Sequence, residues 1–182
     1  MYDVSNDARC VKSCVLIRNA LFELLAENDY RLETVEVSDI AHRSGVSRAT
    51  FYRHFDAPID VLYWVSNVKV EDTSDSALLL TKNYESFCRR FFEYWSQNSE
   101  FLELLVKVGH PDIFLHSLER SLTRAQDRIF RGSRMSEARQ SYAIAIWGGI
   151  VWSILKNWVL RDKRESTEEL IDIAMHNLPR PR

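Results

Sequence analysis

The sequence predicts an all-α protein, and three observations support this fold class. Its 182 residues include only 5 glycines and 4 prolines, the two residue types that disfavour helices most strongly. Apolar side chains recur at a spacing near 3.6 residues, and no stretch shows the polar–apolar alternation of a strand. The chain is 46% hydrophobic and 12% aromatic, which is enough apolar material for a substantial core.

Periodicity and helix-end signals divide the chain into about nine helices. Gly45 is well placed as a left-handed C-cap, and Pro58 stands near the first position of a helix. We expect an N-terminal three-helix domain at 1–56, a connector helix and loop at 57–75, and a larger helical body at 76–182. The predicted helices are 7–27, 37–44, 47–55, 58–71, 76–97, 99–108, 111–131, 136–161 and 167–177.

Charge and cysteine usage limit the possible functions. The formal net charge is −2 and the sequence pI is about 6.2, so any anion-binding surface is a local patch. Three cysteines do not suggest a disulfide framework, which fits a reducing compartment. The first residues, MYDVSNDARC, carry acids where an export signal needs cations, so we expect a cytoplasmic protein.

Residues 142–155, YAIAIWGGIVWSIL, contain no charge and raise the question of a membrane span. The run is shorter than the roughly 20 apolar residues that cross a bilayer, and Lys156 follows it directly. We therefore expect a buried helix and no membrane partner.

The stretch GVSRATFYRHF (45–55) carries the strongest functional signal. If Ser47 caps the helix that follows, its hydroxyl accepts an early backbone N–H, and Val46 and Phe51 form a hydrophobic staple. Phe51 and Phe55, four residues apart, then face inward together. The opposite face is left for contacts with a partner.

Two short helices joined by a glycine-containing turn form a helix-turn-helix, whose second helix enters the major groove of DNA. Its first turn holds a bidentate donor, a small apolar side chain and a hydroxyl, which suit base edges, and the cations behind them suit phosphates. From His42 to Phe55 there are three arginines and two histidines but no acid. The alternative is an ordinary solvated amphipathic helix. The predicted DNA-binding residues are Ser47, Arg48, Ala49, Thr50, Tyr52, Arg53 and His54.

The stretch VSDIAHRSGVSRATFYRHF (37–55) resembles the helix-turn-helix signature of TetR/AcrR-type transcriptional regulators. The resemblance implies a homodimer, DNA binding through residues 37–55, and a C-terminal body that senses a ligand or partner. A two-fold dimer is expected to bind a palindromic operator in double-stranded DNA. RATFYRHF (48–55) and SQNSEFL (96–102) are also similar to a branch linked to control of dihydroxyacetone kinase. The positions that match the family signature are Ile40-Ala41, Gly45-Val46-Ser47, Thr50-Phe51-Tyr52 and His54-Phe55.

Two positions depart from the family pattern. The family commonly has threonine before the valine that opens the second helix, where this chain has Glu36. It commonly has lysine just after the aromatic-rich helix, where this chain has Pro58. Each change removes or weakens a phosphate contact, so we expect modest DNA affinity or a drift towards binding protein.

Most aromatic residues follow residue 60, many of them at helical spacing. Such a stripe is core in most proteins, but some members could instead line a cavity for a small apolar effector. Both interpretations stay open. The candidate pocket residues are Trp64, Phe91, Trp95, Phe101, Phe114 and Leu118.

The helix predicted at 136–161 is apolar on nearly all sides, so it needs cover from two directions. One cover is the chain itself, and the other is expected to be a second copy in an isologous two-fold dimer. One stripe holds Tyr142, Ala145, Ile146 and Gly149, and the other holds Trp147, Ile150, Val151, Ile154 and Trp158. The candidate interface residues are Trp147, Gly148, Ile150, Val151, Ile154, Trp158, Ile171 and Ala174.

The sequence offers no recognisable enzyme chemistry. It has no glycine-rich phosphate loop, no nucleophile motif and no histidine or cysteine set at zinc spacing, so we expect no enzyme, no metal and no cofactor. The prediction is a ligand-responsive transcriptional regulator, a repressor that binds DNA as a homodimer. The alternative is a protein adaptor with the same fold and weak or absent DNA binding.

Overall fold

The computed structural model describes residues 8–80 and 84–176, and within them it contains helices and loops but no strand. The predicted all-α fold is confirmed, with ten α-helices in the described residues instead of about nine. One 3-10 turn, Leu32–Thr34, adds to the prediction. The α-helices are α1 Ala8–Glu27, α2 Val37–Ser44, α3 Arg48–His54, α4 Pro58–Leu80, α5 Tyr84–Gln97, α6 Glu100–Lys107, α7 Asp112–Arg124, α8 Gln126–Ile129, α9 Glu137–Leu160 and α10 Thr167–His176.

Two predicted helix boundaries are wrong. α4 continues to Leu80, so helix occupies the loop predicted before residue 76. Within this extension the buried Thr73 hydroxyl donates to the carbonyl of Lys69 at 2.7 Å, so its polar group is satisfied inside the helix. The helix predicted at 111–131 is interrupted at Ala125 and becomes α7 and α8. The predicted helix start at 7, the stretch 81–83 and the predicted end at 177 lie outside the described residues.

The chain divides into two compact units, and the division falls inside α4, between Ser66 and Asn67. The first unit holds α1 to α3, the start of α4 and the segment Lys107–His110. The second unit holds the remainder of the helical body.

The first unit is built around α1, which packs on α2 and α3. Cys14, Ile17, Leu21 and Leu25 are buried at intervals of three or four residues, as expected for one face of an amphipathic helix. Ile40 of α2 is fully buried as well. Burying a large aliphatic side chain contributes roughly 1.5–3 kcal/mol, so these contacts stabilise helices that are too short to persist alone.

Two consecutive residues with positive φ follow α1, Asp29 at 52° and Tyr30 at 60°. The backbone N–H of Tyr30 donates to the carbonyl of Leu25 at 2.7 Å, which satisfies a carbonyl at the helix end. The ammonium of Lys107 lies 4.8 Å from the centre of the Tyr30 ring. This cation–π contact holds Lys107, the last residue of α6, against the turn that follows α1.

The second unit pairs α5 with α10 and α7 with α9. Its centre is a cluster of aromatic rings: Trp95 and Phe114 meet edge-to-face at 4.7 Å, and Phe114 lies 4.9 Å from Trp152. These separations are those of favourable ring pairs. An ion pair between Arg89 and Glu168 joins α5 to α10 at the surface.

α9 is covered on one face only within the described chain. Ile144, Val151 and Leu155 are buried, whereas Tyr142 is 72% and Ile146 58% exposed. Among the described residues, α9 is the one helix with the length and hydropathy to cross a membrane. This is weak evidence for a span, since core helices of soluble proteins pass the same test, and one face of α9 packs on α7.

Candidate nucleic-acid interface

A tight turn joins α2 to α3. Gly45 follows α2 with φ 70° and ψ 14°, the left-handed conformation that glycine adopts without steric cost. The hydroxyl of Ser44 donates to the carbonyl of Ile40 at 2.6 Å, which gives this carbonyl near the end of α2 a hydrogen-bond partner. The two helices therefore have the geometry of a helix-turn-helix.

Ser47 caps the start of α3. Its Oγ accepts the backbone N–H of Thr50 at 3.0 Å and lies 2.9 Å from the Thr50 hydroxyl. Thr50 stands where glutamate would complete a capping box, so the first turn of α3 contains no acid. The positive end of the helix dipole is left uncompensated and favours an anion.

The two faces of α3 differ in burial. Phe51 and Phe55 are completely buried, with ring centres 5.8 Å apart. Arg48 and Ala49 are exposed, and Tyr52 is 50% exposed. The phenylalanines therefore orient the helix so that its predicted base-reading side chains reach solvent.

Arg43, which lies on α2, is paired with acids of the first unit. Its guanidinium pairs with Glu27 at 2.8 Å and with Glu23 at 3.3 Å, both on α1. The hydrogen bond from Arg43 lowers the pKa of the Glu27 carboxyl, and the bond to Glu27 raises the pKa of Arg43. The signal for this role in the sequence is the pair of acids four residues apart on α1.

His54 differs from the other predicted DNA contacts because its Nε2 atom is buried and has no hydrogen-bond partner among the described residues. Burial, followed by the charge of Arg53, lowers the pKa of the imidazole. His54 is therefore neutral at pH 7. It can offer a phosphate a hydrogen bond but no charge.

Both departures from the family pattern lie at helix starts. Glu36 precedes α2, and its carboxylate accepts the Ser38 hydroxyl at 3.0 Å and no capping N–H. Pro58 opens α4, where Asp60 Oδ2 accepts two backbone N–H groups, that of Ala57 at 2.7 Å and that of its neighbour at 3.0 Å. A carboxylate therefore lies at each helix start, where the family pattern offers phosphate a hydroxyl or a cation.

The predicted effector-pocket residues fall in both units. Trp64 belongs to the first unit, with its ring centre 6.0 Å from that of Phe55. The others are buried in the second unit: Phe91, Trp95, Phe101, Phe114 and Leu118. Side chains in such contact suit a solid core as well as a ligand site, so the pocket stays a prediction.

Most predicted interface residues are buried inside their own chain. A Cβ added at Gly148 would lie 3.4 Å from Cγ of Glu119, so this position of α9 faces α7. Trp147 stacks on Phe130 with ring centres 5.8 Å apart. The predicted interface residues that are buried are Gly148, Val151, Trp158, Ile171 and Ala174.

The outer face of α9 carries a shallow apolar groove of about 410 Å³. Its lining includes two predicted interface residues, Ile150 and Ile154. Gly149 also lines it, and no heavy atom of the described residues lies within 4 Å of a Cβ built there. The homodimer interface stays a prediction, and this groove is the apolar face that a second copy would cover. The lining residues are Ala145, Ile146, Gly149, Ile150, Ser153, Ile154 and Ile173.

The described residues contain no group of three or more histidine, cysteine or acidic side chains that could hold a metal ion. Cys10 and Cys14 lie four residues apart on α1. Burial, followed by the neighbouring Cys10, raises the pKa of Cys14 to about 11. This thiol therefore stays protonated at pH 7 and is a poor nucleophile and metal ligand.

Family models match both parts of the chain. The model described as bacterial regulatory proteins, tetR family, matches residues 17–57, which include the whole helix-turn-helix. The model described as transcriptional regulator C-terminal region matches residues 82–179, more than half of the chain. The chain belongs to the TetR family. The resemblance drawn from residues 37–55 is therefore confirmed. A search of curated proteins found no significant match to the sequence.

Solved structures of regulators are similar to this TetR-family chain along most of its length. A TetR transcriptional regulator from Streptococcus agalactiae 2603V is 20% identical, with a TM-score of 0.61 over 96% of this chain and 97% of that one. The fatty acid degradation regulator FadR from Bacillus halodurans is 18% identical, with a TM-score of 0.55 over 93% and 97%. FadR from Bacillus subtilis, solved with stearoyl-CoA, is 18% identical, with a TM-score of 0.52 over 91% and 99%. At these identities the similarity shows the fold alone.

Proposed function

We propose that this TetR-family protein is a cytoplasmic transcriptional repressor that binds a palindromic operator in double-stranded DNA as a homodimer. Its role is regulatory and not enzymatic. A small apolar effector bound in the body changes the spacing of the two recognition helices and thereby the affinity for DNA. The observation that carries the proposal is the first turn of α3, where Arg48 and Ala49 are exposed above the buried Phe51 and Phe55.

The proposed DNA contacts follow from this orientation. Arg48 can form a bidentate pair with guanine, and Ala49 can contact a thymine methyl group. The hydroxyl pair of Ser47 and Thr50 lies at the helix start, where backbone N–H groups attract phosphate. The flanking side chains proposed to contact the DNA backbone are Tyr52, Arg53 and His54.

The groove on α9 supports the proposed dimer. An isologous interface requires one surface that is complementary to itself, and this groove combines a protruding Ile146 with the open space at Gly149. Two recognition helices related by the two-fold axis would meet half-sites about 34–36 Å apart, or a multiple of that spacing. The operator is therefore expected to be palindromic.

The proposed effector site is the aromatic cluster of the second unit. Its side chains are buried and apolar, which suits a small apolar ligand. Because FadR from Bacillus subtilis was solved with stearoyl-CoA, acyl-CoA thioesters are the first class to assay with this chain.

Selection from a random duplex library at low salt tests the DNA-binding function. The wild-type protein is expected to enrich a palindrome, and Arg48→Ala is expected to lose about 1–3 kcal/mol of discrimination at one base pair of each half-site. Arg131→Ala removes the same charge from an exposed position between α8 and α9 and should enrich the wild-type sequence. A wild-type protein without sequence preference would refute the repressor function.

A second candidate function is a protein adaptor, favoured by the carboxylates of Glu36 and Asp60 at the helix starts and by the pairing of Arg43 with α1. These features reduce the positive charge available to DNA. Glu36→Thr removes one acid, so it is expected to raise DNA affinity most at low salt if the protein is a repressor. If neither form binds any duplex, the adaptor function is supported. The similarity to the branch linked to dihydroxyacetone kinase control stays a prediction.

A further inference from the structure

Trp95 is the largest completely buried side chain, yet its indole Nε1 has no hydrogen-bond partner among the described residues. A buried N–H without an acceptor costs free energy, and native cores leave few of them. Trp158, in the same unit, shows the usual solution, because its indole N–H donates to the carbonyl of Glu165 at 2.9 Å. The Trp95 donor therefore calls for an explanation.

The surroundings of Trp95 restrict what could accept its hydrogen bond. The rings in contact with it, at 4.7–6.2 Å between centres, belong to Phe91, Tyr94 and Phe114. None of these three side chains is a cation. A carboxylate or phosphate buried against these rings would gain no ion pair from them, which makes an anionic acceptor unfavourable.

We propose that Trp95 donates the hydrogen bond that recognises the effector, and that the effector buries an apolar group bearing an uncharged acceptor oxygen. A ketone, ester or thioester carbonyl has this chemistry. A pure hydrocarbon leaves the N–H unpaired. The proposal rests on the effector response proposed above and specifies the chemical class of ligand for the same site.

The close ring contacts add a consequence for regulation. Because Trp95 on α5 is completely buried and its ring contacts Phe114 on α7, a ligand oxygen that reaches Nε1 has to displace some of the side chains around it. Binding therefore selects an arrangement in which these side chains are displaced, and a ligand that binds only this arrangement shifts the population towards it.

Indole resonances provide a direct test. The chain has five tryptophans, so the ¹H–¹⁵N spectrum of the labelled full chain is expected to show five indole cross-peaks, and Trp95→Phe identifies one of them. The probes are acetophenone, its alkene isostere α-methylstyrene, and benzoate, each at millimolar concentration. Acetophenone is expected to move the Trp95 N–H proton downfield, and the other two are not. The Trp158 resonance is the internal control because its N–H is already bonded.

Affinities supply a second measurement. Loss of one hydrogen bond is expected to reduce the preference for acetophenone over α-methylstyrene by about 3- to 10-fold in Trp95→Phe. Trp158→Phe is the matched control and should retain the wild-type preference. If Trp95→Phe does not fold, as judged by its circular dichroism, the three wild-type titrations decide the question, with the remaining peaks assigned by single substitutions.

A Trp95 resonance that stays in place with acetophenone overturns the proposal, and so does an equal shift with α-methylstyrene. Both measurements use protein without DNA. Loss of operator selection with an intact Trp95 response would refute the repressor function and leave the carbonyl site standing. If operator selection is retained and the Trp95 resonance does not respond to acetophenone, the role of Trp95 is refuted and the repressor function stands.

Discussion

At the residue scale, Phe51 and Phe55 control what the rest of α3 can contact. A helix of seven residues has little stability of its own, so its rotation is set by the side chains it buries. Both rings are completely buried, and the four-residue spacing places them on one face. Arg48 and Ala49 are exposed as a direct result.

Truncation of Phe51 tests this anchoring. Phe51→Ala is expected to lower the free energy of unfolding by about 3–5 kcal/mol, since it removes a buried ring and leaves a cavity. Tyr52→Ala, at the half-exposed neighbour, should cost less than about 1 kcal/mol. Urea denaturation measures both, and equal losses would show that α3 is not held by its inward face.

The titration of His54 gives a prediction about pH. Its pKa in the folded protein lies below the ordinary value of 6.5, so the unfolded chain takes up the proton first as the pH falls. The stability that this difference provides is fully present above pH 6.5 and is lost as the pH falls through the folded pKa. Between about pH 7.5 and about pH 5.5, stability should decline less steeply in His54→Gln than in the wild type. Parallel urea titrations would contradict the assignment.

At the element scale, the α2–α3 turn depends on one left-handed residue, and Arg43 adds ion pairs to the apolar contact between α1 and α2. Gly45 reverses the chain at φ 70°, and no atom of the residues that the structure describes lies within 4 Å of a Cβ built there. Arg43 forms ion pairs with Glu23 and Glu27, which join α2 to α1. The direction in which the chain leaves α2 and enters α3 therefore depends on the backbone conformation of one residue.

Substitutions at Gly45 separate backbone strain from crowding. Gly45→Ala is expected to destabilise the protein by about 1 kcal/mol, because a Cβ disfavours positive φ although space for it exists. Gly45→Asn should cost less, since asparagine tolerates the left-handed region. Thermal unfolding compares the two variants, and a larger loss for asparagine would contradict this explanation.

At the scale of the whole molecule, the exposed groove of α9 is the feature that the described chain does not cover. The predicted homodimer places a second copy there. Ile146→Asp puts a charge in the middle of the groove and should convert dimers to monomers without loss of helix content. Met135→Asp, at another exposed apolar residue, is the control and should remain dimeric. Light scattering with size-exclusion chromatography measures the mass, and a dimeric Ile146→Asp would refute this interface.

The sequence alone determined the all-α class, the family and the local anatomy of residues 37–55. The cap at Ser47, the glycine at 45 and the paired phenylalanines act within a few residues of one another, so their spacing suffices to predict the turn and the inward face. The end of α4, by contrast, is predicted wrongly from the sequence. The helix continues past the predicted residue 71 to Leu80, and the hydroxyl of buried Thr73 bonds to the Lys69 carbonyl of its own helix.

Only the tertiary structure decided how faces and charges are used. Periodicity showed two apolar stripes on α9, but packing against α7 determined that Gly148 and Val151 lie inside and Ile146 outside. Folding also paired Arg43 with acids on α1, and it left the indole N–H of Trp95 without a hydrogen-bond partner among the described residues. A sequence pattern specifies which side of a helix is apolar or charged. What lies against that side depends on residues distant in the chain, and these are brought together only by folding.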